Sequence, residues 1–232
     1  MKQLVQLIRN NARREPAKIV SESEPETLLL YDVIDPYWGV SASDFNKTLA
    51  GMTGKKVTLR VNSPGGDVFD GRAMAAAIQQ HGNVHAVIEG VAASAATYVT
   101  AACASVTIAQ GAFYMIHNAW TMAYGNKDDL RSTAGLLEKI DGSILDDYER
   151  RTSQPRDKLA AWMDAETWFT AAEAVEHGFV DSVSETASTK NSWDLSAYKN
   201  APKAAPPAAA NDPEIEALKQ RNWNRLRLHE FG

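Results

Sequence analysis

The sequence predicts an α/β fold in which short strands and helices alternate in layers, with largely parallel strand pairing. Two observations carry that prediction. Between residues 57 and 116, runs rich in β-branched and apolar residues alternate with stretches of helical periodicity. The turns that separate them hold glycine or other small residues, as in Asn62-Ser63-Pro64-Gly65-Gly66-Asp67 and Gly90-Val91-Ala92-Ala93-Ser94-Ala95-Ala96. The chain has 232 residues, 44% hydrophobic and 23% charged, which suffices for one well-buried domain with appendages.

Residues 1–25 are polar and charged, with one amphipathic helix in which Leu4, Leu7 and Ile8 share a face, followed by extended chain. This is read as an N-terminal extension. Residues 28–34 form a short β-like run. Residues 41–51 read as a helix, with Phe45 and Leu49 at i, i+4 spacing and Ser43 as its cap. The strand at 57–61 feeds directly into the glycine turn. A helix over 68–81 points Met74 and Ile78 inward and stops at Gly82. The cycle then repeats: a strand at 84–88, a helix at 94–103, a strand at 105–109 and a strand at 113–116 that delivers His117.

The longest helical pattern spans 126–151. Asn126 caps it, Asp129 lies in its first turn, and Leu130, Ala134, Leu137, Leu145 and Tyr148 form its apolar stripe. A short helix follows Pro155, and Thr170 with Glu173 makes a capping box for another, stopped at Gly178. Residues 186–212 are rich in Ala, Pro, Ser, Thr and Lys, the composition of a linker with too few apolar residues to form a core. Residues 213–232 read as a helical tail with Ile215, Leu218, Trp223, Leu226 and Leu228, either a docking helix or a segment for partner binding or self-processing.

Composition narrows the function. A formal charge of -5 supplies no basic field for a phosphate backbone, so nucleic acid is not an expected partner. The single cysteine, Cys103, lies among alanines and reads as a packed thiol in a reducing compartment. The N-terminus lacks a secretory signal, and the least polar stretch, 91–115, is too polar to span a bilayer. The expectation is a soluble cytoplasmic protein with no membrane partner. No metal-ligand spacing and no GxxxxGK[ST] loop are present, so neither a metal nor another cofactor is expected, and any ATP dependence would come from a partner.

A serine hydroxyl needs a neighbouring base to become nucleophilic, and histidine titrates in the right range. Ser94 stands among residues too small to crowd it, and His117 ends an apolar strand. His81, His85, His177 and His229 sit at helix ends, in a strand or in the tail, and read as surface or capping residues. Ser94 also suits the N-cap of its helix, a role compatible with catalysis.

The three segments 62–67, 90–96 and Met115-Ile116-His117-Asn118, in this order, resemble the proteolytic-subunit family of the Clp proteases, serine peptidases of the ClpP/crotonase superfamily. So does Phe169-Thr170-Ala171-Ala172-Glu173-Ala174-Val175-Glu176-His177-Gly178-Phe179-Val180-Asp181. The resemblance covers about residues 28–183. It implies a spiral of β-β-α units with a protruding handle helix and a serine protease domain over 26–185. It also implies Ser94 as nucleophile, His117 as base, and Gly66 and Ala95 as oxyanion-hole donors. The third triad member is normally aspartate; the aligned position is Glu166, with Asp164 as the alternative.

The wording Glu166-Thr167-Trp168-Phe169 and Asn118-Ala119-Trp120 is most similar to the phage and prophage branch of head maturation proteases. The implied function is a self-compartmentalising serine endopeptidase in homo-oligomeric rings, acting on scaffold or capsid proteins in the host cytoplasm or an assembling prohead. The alternatives are a degradative Clp-type subunit working with an unfoldase, or a crotonase-like acyl-CoA enzyme.

Overall fold

A computed structural model describes residues 2–11, 14, 19, 26–184 and 193–202. By contact the chain divides into two units, one of 17–191 and one that joins 1–16 to 192–232. The helical tail expected over 213–232 lies outside the described residues, as do the linker residues 186–192 and 203–212.

The larger unit is built on one seven-stranded sheet. β1 (Thr27–Leu30), β2 (Val57–Ser63), β3 (Val84–Ala93), β4 (Ser105–Ala109) and β7 (Ser182–Ser184) lie side by side in the order β1-β2-β3-β4-β7, all parallel. β5 (Phe113–Ile116) adds in parallel to the far end of β3, and β6 (Thr167–Thr170) pairs with β5 antiparallel. β3 is longer than its 84–88 core because it first pairs with β4 and then, beyond Ile88, with β5. That fork places the end of β3, where Ser94 follows, beside the end of β5, where His117 follows. Alternate residues of β2 (Val57, Leu59, Val61) are fully buried, as a strand with one face in the core requires.

The helices pack in succession: α2 (Ala42–Ala50) on α3 (Val68–His81), α3 on α4 (Ala95–Ala101), α4 on α5 (Lys127–Thr152) and α5 on α6 (Arg156–Asp164). α7 (Ala171–Glu176) follows β6 and begins with the Thr170–Glu173 capping box. α3 runs from the Asp67 cap, whose side chain accepts from Asp70 N–H, to Gly82 in the left-handed conformation. α2 is capped by Ser41 and not by Ser43. The Ser41 hydroxyl accepts from Asp44 N–H, three residues on, while Ser43 already lies in the first turn.

α5 starts with a capping box between Asn126 and Asp129. Its two halves differ. Ile144 and Tyr148 are buried, and Ile140 and Leu145 pack on the core, whereas Leu130 and Leu136 are 46% and 51% exposed. The stripe expected from 130 to 148 therefore serves this domain's core only in its C-terminal half. Leu145 belongs to that core, and Ala134 is exposed. Cys103 is a packed thiol: it is buried, its Sγ donates to Val99 O at 3.7 Å, and burial pushes it up to about 12.

In the smaller unit α1 (Lys2–Asn10) meets residues 193–202. Asn11 Nδ2 donates to Asp194 O at 2.9 Å, and Asn11 Oδ1 accepts from Asp194 N–H at 2.8 Å. The Arg14 guanidinium lies 3.6 Å from the centre of the Trp193 ring, and Trp193 is 4% exposed. This part of the expected linker is thus packed against the N-terminal extension. Its low apolar content concealed one tryptophan and one tyrosine, Tyr198, that are both buried. Among the described residues no helix is long and apolar enough to cross a membrane.

Candidate active site

The glycine turn is built by its own backbone. Ile34 N–H donates to Gly65 O at 2.9 Å and Asp67 N–H to Ile34 O at 2.7 Å, which ties the turn to the chain after β1. Ser63 Oγ donates to Asp32 O at 2.6 Å and accepts from Gly65 N–H at 3.2 Å, so this serine shapes the turn. Gly65 and Gly66 have φ of 89° and 152°. A Cβ at Gly66 would stand 2.1 Å from Ile34 O, and one at Gly65 2.4 Å from Ala93 O. Only glycine fits both positions.

Ser94 follows β3 directly and precedes α4. Its backbone adopts φ 53°, ψ −127°, a region that costs a residue with a side chain of order 1–3 kcal/mol. The turn is held by Ser94 N–H donating to Met115 O at 2.9 Å and by Thr97 Oγ1 donating to Ser94 O. The hydroxyl makes no helix-capping bond. The N-cap role that the sequence also allowed is therefore filled only by position. The Ser94 Oγ instead meets His117 Nε2 at 2.7 Å.

His117 is one step beyond β5. Burial of its ring lowers its pKa to about 4, against the opposing charge of Glu166, although the residue as a whole is half-buried. The imidazole is therefore neutral at neutral pH and can accept a proton. The β5–β6 register explains which acid it senses. Met115 pairs with Trp168 and Ile116 with Thr167, so the next step of the register sets His117 opposite Glu166. Glu166 is half-buried with φ 50°, and Trp168 Nε1 donates to its Oε1 at 3.4 Å. Asp164 is exposed and accepts from Asn118 Nδ2 at 2.7 Å.

Beside the serine, the N–H groups of Gly66 and Ala95 have no acceptor among the described residues, whereas that of Ser94 is already used. A Cβ on Gly65 would lie 2.8 Å from Ala95 N, which shows how closely the glycine turn approaches the start of α4. The geometry thus gathers a strained serine, a neutral histidine, a carboxylate and two free backbone donors.

The other histidines are placed elsewhere. His81 Nε2 meets Met52 O at 2.9 Å, and His177 lies against Trp162 with ring centres 4.7 Å apart. His229 is outside the described residues. One pairing was missed in the sequence: His85 Nδ1 meets Ser105 Oγ at 2.7 Å, and His85 Nε2 meets Asn83 Oδ1 at 3.1 Å. Cross-strand register brings these two together, since His85 pairs with Ser105 between β3 and β4. Ser105 has neither a positive φ nor a glycine turn beside it. Among the described residues no cluster of His, Cys, Asp and Glu could hold a metal ion.

Comparison with known proteins gives the chain's family and fold. The family model described as Clp protease matches residues 48–187. The chain is 32% identical over 134 residues to the ATP-dependent Clp protease proteolytic subunit 2 of Parasynechococcus marenigrum, covering 56% of this chain and 67% of that protein. It is 33% identical over 137 residues to the proteolytic subunit 2 of Thermobifida fusca, covering 56% and 65%. Among solved structures, a point mutant of ClpP1 from Listeria monocytogenes superposes with a TM-score of 0.62 at 23% identity. It covers 69% of this chain and 92% of that one, and shows the shared fold. These matches set aside the reading as a crotonase-like acyl-CoA enzyme. The sheet with its forked third strand, the glycine turn and the serine–histidine contact lie within or beside the matched span, and the chain belongs to the Clp protease family.

Proposed function

We propose that this chain is a serine endopeptidase subunit in which Ser94 is the nucleophile, His117 the general base and Glu166 the acid that orients the histidine. Gly66 and Ala95 N–H groups form the oxyanion hole. The observation that carries the reading is the 2.7 Å contact between His117 Nε2 and the hydroxyl of a backbone-strained Ser94.

In the proposed reaction Ser94 Oγ attacks the scissile carbonyl carbon while His117 Nε2 takes the hydroxyl proton. The Glu166 carboxylate stabilises the resulting imidazolium. The carbonyl oxygen becomes an oxyanion held by the two backbone donors, a contribution of roughly 100- to 1,000-fold in rate for each donor. His117 then passes the proton to the leaving amine. Water, deprotonated by the same histidine, releases the acyl group and restores Ser94.

Assembly into homo-oligomeric rings is part of the proposal. Its support is family membership together with the exposed leucines of the N-terminal half of α5. The finer assignment is a head maturation protease of a phage or prophage, acting on scaffold or capsid proteins. The Glu166-Thr167-Trp168-Phe169 and Asn118-Ala119-Trp120 wording supports it. A degradative subunit paired with an ATP-driven unfoldase is the second reading, supported by the ATP-dependent relatives.

A fluorophosphonate probe followed by peptide mapping tests the chemistry: the adduct should fall on Ser94, and Ser94→Ala should abolish both labelling and peptide cleavage. Peptide cleavage without any adduct on Ser94 would overturn the assignment. Cleavage of a purified capsid precursor without ATP separates the two biological roles.

A further inference from the structure

We propose that Asp141 and Asp164 are positioning residues that clamp the segment after His117 and so fix the base against Ser94; this rests on the triad reading above. β5 ends at Ile116, so the sheet supplies no support for the residues that follow the histidine. Two carboxylates supply it instead, from two different helices. Asn118 Nδ2 donates to Asp164 Oδ1 at 2.7 Å, at the last residue of α6. Ala119 N–H donates to Asp141 Oδ1, also at 2.7 Å, in the middle of α5.

The two arms depend on one another. Asp141 is half-buried, and both its burial and the nearby charge of Asp164 oppose its ionisation, while the Ala119 N–H favours it. Two neighbouring carboxylates repel unless donors stand between them, and the 118–119 segment provides those donors. The segment is thereby held from both sides directly after His117. It is also why Asp164, which the sequence offered as an alternative triad acid, is engaged elsewhere.

The chemical consequence is geometric. The His117 Nε2 to Ser94 Oγ contact tolerates little displacement, and a misplacement of about 1 Å in a catalytic group can cost about 100-fold in rate. The acceptor oxygen carries this role, so an amide in place of the acid should preserve it.

The test measures the rate of Ser94 acylation by a fluorophosphonate, with kcat and KM for a peptide, on the full-length assembled protein. Asp141→Ala should slow acylation by roughly 10- to 100-fold with KM unchanged. Asp141→Asn, which keeps an Oδ1 acceptor for Ala119 N–H, should stay within about threefold of the parent. Asn118→Ala, which cuts the other arm at the surface without touching α5, should show the same kcat-only loss, and it stands in if Asp141→Ala does not assemble.

Parent-like acylation by Asp141→Ala in assembled protein would overturn the clamp and leave the triad reading standing. So would Asp141→Asn falling as far as Asp141→Ala. An unlabelled Ser94 in the parent protein would overturn both readings.

Discussion

His117 is held neutral by burial, and the sign of that shift has two consequences. A base must be unprotonated to act, so the acid limb of kcat/KM should lie near the lowered value of about 4 and well below the usual imidazole range. Because the folded pKa lies below the unfolded one, His117 stabilises the fold above about pH 6.5, and that stability is lost as pH falls through about 4. Glu166 works against the burial, so Glu166→Gln should move the acid limb lower still. The same substitution should cut the acylation rate by orders of magnitude if Glu166 orients the ring. Asp164→Asn should do much less, since it keeps an acceptor for Asn118. A pH series of peptide-cleavage and fluorophosphonate-acylation rates on unlabelled, assembled protein reads all three effects, and a larger loss in Asp164→Asn would transfer the triad role to Asp164.

Much of this site was legible because its signals are local. Gly65 and Gly66 answer to steric limits that the sequence displays, and Ser94 and His117 each follow an apolar run. The antiparallel β5–β6 register, which sets His117 opposite Glu166 across a separation of 49 residues (166 − 117), is not visible in the sequence. β6 itself is only four residues long, too short for periodicity to announce it.

At the scale of elements, α5 is the outlier. Its C-terminal half is tied to α4, the helix after Ser94, where Tyr148 OH meets Thr97 Oγ1, and Thr97 in turn bonds Ser94 O. Its N-terminal half leaves Leu130 and Leu136 in solvent. Burying the exposed half of each across an interface would be worth roughly 0.7–1.5 kcal/mol per subunit. Replacing both by Asp should therefore yield smaller species in sedimentation velocity while leaving the monomer's circular dichroism intact. An unchanged oligomer would show that assembly uses another surface. The sequence placed this helix within one residue at each end because its caps are local. It could not divide the stripe into a core half and a bare half, since periodicity reports amphipathicity and not which partner covers the face.

For the whole molecule, α1 and residues 193–202 form a unit that composition alone would have scattered into an extension and a linker. The pairing includes the Asn11–Asp194 exchange, the Asn10–Ser196 hydrogen bond and the Arg14–Trp193 stack. Trp193→Ala should thus speed amide hydrogen exchange across α1 by about tenfold or more and leave β2, β3 and β4 as protected as before. Equal loss of protection in the central strands would show instead that the sheet depends on this contact.

The span of 183 residues between Asn11 and its hydrogen-bond partner Asp194 also sets a schedule. A ribosome adding about 5–20 residues per second needs roughly 10–40 s to reach the partner after α1 has emerged. The parallel sheet, whose strands all lie between the two, can form in that interval. α1 is therefore secured only after the strands of the sheet have been made, and during that interval it stays open to chaperones and proteases.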